Sequence, residues 1–238
     1  GIKASGLLMV DGVLYLWGRN AGNARLAWST DHAQSWTWAD WRFATGFGYP
    51  TFLNFGPNYR SARDAWVYVY SHDADSAYDP ADRMVLARVP QERIRDRDAY
   101  EFFVRRGDAG VPVWSADIAD RGAVFEYPGL CRRSGITYDA GLDRYLWWQH
   151  RAEEDVDTRF QGGFGVYDAP EPWGPWTTAY FTLEWDCGPG ETGSFPTAWM
   201  SEDGRTAHVV FSGNDYFSVR KATFIVKGSR MDTDLADI

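Results

Sequence analysis

One grammar recurs four times along this chain, and that recurrence constrains its fold more than any other feature. The copies are "KASGLLMVDGVLYLWGRN" (Lys3 to Asn20), "YPTFLNFGPNYRSARDAWVYVYSHD" (Tyr49 to Asp73), "RSGITYDAGLDRYLWWQH" (Arg133 to His150) and "SFPTAWMSEDGRTAHVVFSGND" (Ser194 to Asp215). Each opens on a small or hydroxyl residue: Ser5, Thr51, Ser134, Thr197. A short strand and a turn follow, with Asp11-Gly12, the long Gly56 to Asp64 loop, Ala140-Gly141 and Asp203-Gly204 at the turns. Gly after Asp supplies the positive φ that a tight hairpin favours. A second, mostly aromatic strand comes next: Val13–Trp17, Trp66–Tyr70, Tyr145–Trp148, His208–Phe211. Each ends in a polar pair: Arg19-Asn20, His72-Asp73, Gln149-His150, Asn214-Asp215.

Third strands read at Ala24–Ser29, Arg83–Val89, Gly163–Asp168 and Phe217–Val226. Outer fourth strands read at Trp36–Phe43, Tyr100–Arg105 and Trp176–Thr182, and the last copy shows none. Four-stranded units repeating at roughly 45 to 60 residues predict an all-β fold, the blades of a β-propeller. The blades are expected at about 3–43, 49–105, 122–182 and 194–226 of a single domain, 1–230, with a tail at 231–238. A sandwich is the other all-β reading, but it does not ask for the same polar residues at matching strand ends. Helix is expected only as a turn or two in "PQERIRDRDAY", Pro90 to Tyr100.

Composition narrows the partners. Net charge is −9, which argues against nucleic acid, whose phosphates need a basic surface. No apolar run approaches the length that spans a bilayer, so no membrane helix is expected. The first residues, Gly1-Ile2-Lys3-Ala4-Ser5, lack a signal peptide and a Met, as in a chain that starts mid-gene or after processing. The expected location is secreted or periplasmic, in a bacterium. With 13 Trp, 13 Tyr and 14 Phe, the chain has rings both for core packing and for platforms under sugar faces. Two cysteines, Cys131 and Cys187, make no disulfide framework, although each precedes a first strand and the two can be neighbours.

Two smaller signatures agree with a propeller. "STDHAQSW", Ser29 to Trp36, resembles the Asp-box of sialidase-type propellers, with Ala33 where Gly is usual and Ser35 where Thr is usual. Its Asp31 is expected to staple a hairpin through backbone N–H groups rather than to catalyse. "APEPWGPWTT", Ala169 to Thr178, is similar to the outer-strand entry of five-bladed sugar-active propellers. "KASGLLMVDGVLYLW", "PTFLNFG", "YVYSHDADSAYDPADRMVLARVP", "RSGITYDAG", "YDAPEPWGPWTT" and "SFPTAWMSEDGRT…VVFSGNDYFSVRKAT" together resemble the family catalogued as domain of unknown function 4185, from Lys3 to about Val226. The resemblance implies a five-bladed sugar-active propeller, of which about four blades are visible here. Some members are endo-acting glycoside hydrolases that cut D-arabinan. The family pattern usually has a further N-terminal blade, with an acidic cluster, before the stretch matching "KASGLLMV". If the general base belongs to that blade, this chain alone is expected to be inactive.

The repeat also predicts a site. Antiparallel strands bring the starts of first strands and the ends of second strands to one face. The expected lining is Lys3, Ser5, Asn20, Tyr49, Thr51, His72, Asp73, Arg133, Ser134, Gln149, His150, Glu191, Ser194, Asn214 and Asp215. Glycoside hydrolysis needs two carboxyl groups at the scissile bond. Glu191, in the Gly/Pro loop "CGPGETGSFP", is the expected general acid. Asp73 is the expected base or pKa modulator, and Asp215 is the third catalytic candidate. For each the plainer alternative is a solvated loop acid. Lys3, Asn20, Tyr49, His72, Arg133, Gln149, His150 and Asn214 are the expected substrate-binding residues.

No cofactor is expected. "DADSAYD" offers carboxylates at alternate positions, so a Ca2+ site at Asp73 and Asp75 is a second reading. His72 and His150 end equivalent strands, with a hydrogen-bonding structural role as the alternative. Arg133 suits a substrate carboxylate or ring hydroxyls, or equally a loop salt bridge. No G-x-S-x-G elbow or phosphate-binding Gly loop is present. The expected function is therefore a carbohydrate-active propeller, a glycoside hydrolase on an oligo- or polysaccharide. The alternatives are a polysaccharide lyase using His72, His150 and Arg133, or a glycan-binding propeller without catalysis. Open sheet edges are expected to pair with a second copy as a homodimer.

Overall fold

The computed structural model describes residues 1–151, 156–227 and 230–234. The chain divides into two compact units, Gly1–Leu53 with Pro57–Arg132, and Asn54–Gly56 with Arg133–Ile238.

The first unit opens on an antiparallel meander of β1 (Lys3–Val10), β2 (Val13–Arg19), β3 (Arg25–Ser29) and the short β4 (Thr37–Trp38). Alternation drives β1: Leu8 and Val10 are buried while Leu7 points outward. Asp11 and Gly12 take positive φ of 48° and 77°, the geometry of a two-residue hairpin turn. Beyond β4, a single bridge between Ala24 and Phe43 extends the outer edge that the sequence predicts over Trp36–Phe43.

The second meander runs β5 (Thr51–Asn54), β6 (Trp66–His72), β7 (Ala81–Pro90), β8 (Glu101–Arg106) and β9 (Pro112–Ser115). The expected turns appear as 3-10 turns at Gln91–Arg93 and Arg97–Ala99. A further strand, β10 (Phe125–Cys131), pairs with β7 at Met84, Arg83 and Ala81, below the stretch of β7 that β8 covers. The sequence reading starts its third blade at 122, so this strand is moved to the second. It carries Pro128 and Gly129 and pairs irregularly, which hides it from a period-2 pattern. Trp17, fully buried, stacks on Phe43 at 5.1 Å and lies 6.1 Å from Phe52, joining the two meanders.

In the second unit, β11 (Ser134–Asp139), β12 (Arg144–Arg151), β13 (Gly163–Ala169) and β14 (Thr177–Phe181) form one meander. The other is β15 (Gly193–Ser194), β16 (Thr206–Phe211), β17 (Ser218–Lys227) and β18 (Arg230–Asp234). β18 corrects the expectation that the last copy lacks an outer strand and that 231–238 is a tail; residues 235–238 lie outside the described residues. The stretch "RMDTD" is too polar and too short to read as a strand unaided. Leu146, Trp148, Phe164 and Val166 pack with Phe195, Val209, Phe211 and Phe224 in a core between these two sheets. The aromatic excess is thus spent largely on packing, as the fully buried Trp17, Trp147, Trp148, Tyr70 and Tyr100 attest.

Candidate functional site

The site candidates in the second unit gather around the loop between β14 and β15. Ser134 at the start of β11 pairs with Gln149 near the end of β12, and Gly193 pairs with Phe211 at the end of β16. Antiparallel register therefore brings Arg133, Gln149 and His150 to the same end as Ser212, Asn214 and Asp215. The loop 187–192 is clasped from several sides. Gly188 N donates to Asn214 Oδ1 at 2.9 Å, and Gly190 N to Thr158 O at 2.9 Å. Glu191 N donates to Ser212 Oγ at 3.0 Å, and His150 Nδ1 lies 3.2 Å from Glu191 O. A carbonyl only accepts, so His150 carries its proton on Nδ1. Glycine is required at 190, where φ is +77° and a Cβ would stand 2.3 Å from Ser212 Oγ.

This clasp presents one carboxylate. Glu191, with its side chain 43% exposed, ion-pairs through Oε2 with Arg133 Nη1 at 2.8 Å. Arg133 is itself buried, so the pair is partly shielded from water and stronger than a surface contact. Asp215 is the more open acid, 4.0 Å from Arg159 Nη1. Arg159 also feels the charge of Glu191 and is held tightly by Asp157. Gln149 is fully buried, and both atoms of its amide lack a hydrogen-bond partner among the described residues. Asn214 spends its side-chain oxygen on the loop, so it acts here as a strut.

In the first unit the predicted residues separate into two groups. His72 is fully buried, with Nε2 2.8 Å from Ser76 O, and anchors the 73–80 loop. Asp73 lies between two arginines: Arg83 Nε at 2.7 Å and Arg121 Nε at 2.8 Å. Asp75 accepts from Gly46 N at 2.6 Å. These contacts argue against the Ca2+ reading at Asp73 and Asp75, since the two guanidinium groups already neutralise Asp73 and repel a cation. No cluster of metal-ligating side chains forms among the described residues. The other group is Lys3, Asn20 and Tyr49, gathered near Arg19 and Tyr78. The Arg19 guanidinium lies 5.5 Å from the Tyr49 ring centroid and 5.2 Å from that of Tyr78. Hydrogen bonds from Arg19 and Asn20, with the charges of Arg19 and Lys3, pull the Tyr78 phenol down to about 8.

Arg19 and Tyr78 are not among the predicted site residues. Arg19 belongs to a strand-end polar pair, which is a usable signal; Tyr78 sits in a loop whose acids dominate its pattern. Asp31, expected to be a staple, accepts from Ser35 N at 2.9 Å and Ser35 Oγ at 2.6 Å. Those bonds, with one from Ser29, lower its carboxyl to about 2. A cavity of about 820 Å³ lies elsewhere, along the β14 edge, lined by Phe160, Phe181, Leu183 and Trp185 with Gln161 and Glu184. None of the predicted site residues lines it. Cys131 and Cys187 are not joined in a disulfide.

No family model matches the chain, and no curated protein matches it. Solved structures do. The α-L-arabinanase of Cellvibrio cellulosa complexed with arabinohexaose aligns with a TM-score of 0.54 and 10% identity, over 96% of this chain and 76% of that one. The GH43_1 enzyme from Xanthomonas citri complexed with xylose aligns at 0.51 and 15% identity, over 96% and 70%. CoXyl43, a GH43 β-xylosidase/α-arabinofuranosidase from a compost microbial metagenome, in complex with xylotriose in a calcium-free form, aligns at 0.50 and 14%, over 98% and 73%. The fold is a β-propeller. At these identities the likeness reaches the fold and no further, so the residues must carry any statement about chemistry.

Proposed function

We propose that this propeller is a glycoside hydrolase acting on an oligo- or polysaccharide, with its chemistry centred on Glu191. The observation that carries the reading is the clasped loop, which fixes one half-exposed carboxylate among strand-end polar groups of both sheets of its unit. Solved structures of the same fold with xylose, xylotriose and arabinohexaose support a saccharide as the ligand.

The ion pair revises how the roles divide. A guanidinium at 2.8 Å favours the ionised carboxylate. Glu191 then suits the partner that activates water or attacks the anomeric carbon, rather than the proton donor. Asp215, at the same strand end and 4.0 Å from Arg159 Nη1, is the remaining acid and is assigned to protonate the leaving oxygen. The glycosidic C–O bond breaks and its oxygen takes that proton, while water delivers hydroxyl to the anomeric carbon and passes its other proton to the carboxylate that activates it. Asp73 has no place in the scheme, because two arginines hold it. Arg133 already has Glu191 as counter-ion, which removes its availability as the uronate neutraliser of a lyase.

Arabino-, xylo- and galacto-oligosaccharides would be incubated with wild type, Glu191→Gln and Asp215→Asn. Turnover in wild type and a fall of about 10²-fold or more in each variant is the expected result. Cleavage by both variants at the wild-type rate, or products carrying the unsaturated chromophore of elimination, would refute the assignment.

A further inference from the structure

Arg19, the last residue of β2, is an unusual cation. It is only 3% exposed, yet its Nε and Nη1 have no hydrogen-bond partner among the described residues, and no carboxylate there pairs with it. A buried donor left unmade is costly, and a buried charge more so. Two rings lie against the guanidinium: Tyr49, buried, with its centroid at 5.5 Å, and Tyr78, 53% exposed, at 5.2 Å. Tyr78 is therefore its outer cover. Lys3 stands opposite Arg19 in the β1–β2 register and adds an exposed ammonium. Asn20, which donates to the Tyr78 oxygen, completes the group. In a chain of net charge −9, two neighbouring cations with no acid partner among the described residues form a local positive field.

We propose that Arg19, Lys3 and Tyr78 form a subsite for an anionic sugar, gripping an oxyanion carried on the saccharide as a uronate carboxylate or a sulfate ester. The anion reaches Arg19 as the exposed Tyr78 ring swings aside. It supplies the acceptors that the guanidinium lacks, while Tyr49 keeps the planar group in place. Rings and guanidinium together suit a sugar, which offers an apolar face beside its charge. The proposal rests on the saccharide reading above and names the substrate class for it.

Calorimetric titration would compare an oligogalacturonate, a sulfated galacto-oligosaccharide and a neutral galacto-oligosaccharide of the same length. Wild type and Glu191→Gln are both used, so that cleavage does not consume the ligand. The expected result is binding of at least one acidic ligand about tenfold tighter than the neutral one, with Arg19→Met binding all three alike. Should Arg19→Met fail to fold, Lys3→Gln, at an exposed side chain, is expected to reduce the acidic preference about two- to fivefold. Equal binding of acidic and neutral ligands by wild type, or full preference in Arg19→Met or in Lys3→Gln, overturns the proposal. Acidic preference without cleavage sinks the hydrolase reading alone; cleavage without acidic preference sinks this subsite alone.

Discussion

Asp139→Asn should make the protein more stable above pH 6 and leave it unchanged near pH 4. Asp139 ends β11, at the opposite end of that strand from Arg133, and is 1% exposed. Burial pushes its carboxyl from 3.8 up to about 6, with the nearby Asp203 charge adding to the push, although Gly141 N and Leu142 N donate to Oδ1. Its Oδ2 is buried without a hydrogen-bond partner among the described residues. A folded-state value above the unfolded one means the native state binds the extra proton between about pH 4 and 6. Stability therefore falls as pH rises through that window, and the loss is complete above it.

At about 1.4 kcal/mol per pH unit, the full shift amounts to roughly 3 kcal/mol. Residual solvent screening discounts it to about 1–2 kcal/mol. Asparagine keeps the oxygen that accepts from Gly141 and Leu142 and removes the charge. Urea denaturation of wild type and Asp139→Asn, at intervals from pH 4 to 8, reads the difference as a change in midpoint at constant m. A gap that opens by about 1–2 kcal/mol between pH 4 and 8 is expected. A variant destabilised by the same amount at every pH would show that the carboxylate, not its burial, is what the strand end needs.

Three further outcomes follow from side chains outside that strand. Asp73→Asn should cost about 2–4 kcal/mol in urea denaturation, because it leaves Arg121, 13% exposed, without its counter-charge; a loss below about 0.5 kcal/mol would mark the pair as a surface contact. The Asp31 carboxyl, lowered to about 2 by Ser35 and Ser29, stabilises its hairpin above about pH 4, and that contribution is lost as pH falls through about 2. Carboxyl NMR titration should find it there, and returned toward 4 in Ser35→Ala. Ultraviolet titration should show one phenol, Tyr78, ionising near pH 8, shifting back toward 10 in Arg19→Met; an unmoved transition would mean that Arg19 is not its partner.

How much of this was legible in the sequence depends on whether the signal is local. The Asp11-Gly12 hairpin, the alternation of β1 and the aromatic second strands announce themselves, since turn chemistry and period-2 burial are written in adjacent residues. β10 and β18 do not. They are strands only because β7 and β17 offer them an edge, and neither "FEYPGLC" nor "RMDTD" has a pattern of its own.

The same distinction governs the site. The repeat could predict that Arg133, His150, Asn214 and Glu191 meet, because strand direction and register fix which ends adjoin. It could not divide their labour. Whether an acid faces solvent or an arginine depends on contacts between residues far apart in the chain. Asp73 and Glu191 look alike as loop acids, yet one is locked between Arg83 and Arg121 and the other meets a single arginine with nearly half its side chain exposed. The polar strand ends thus mark where the 187–192 loop is clasped, and the number of guanidinium partners is what separates the locked Asp73 from the half-exposed Glu191.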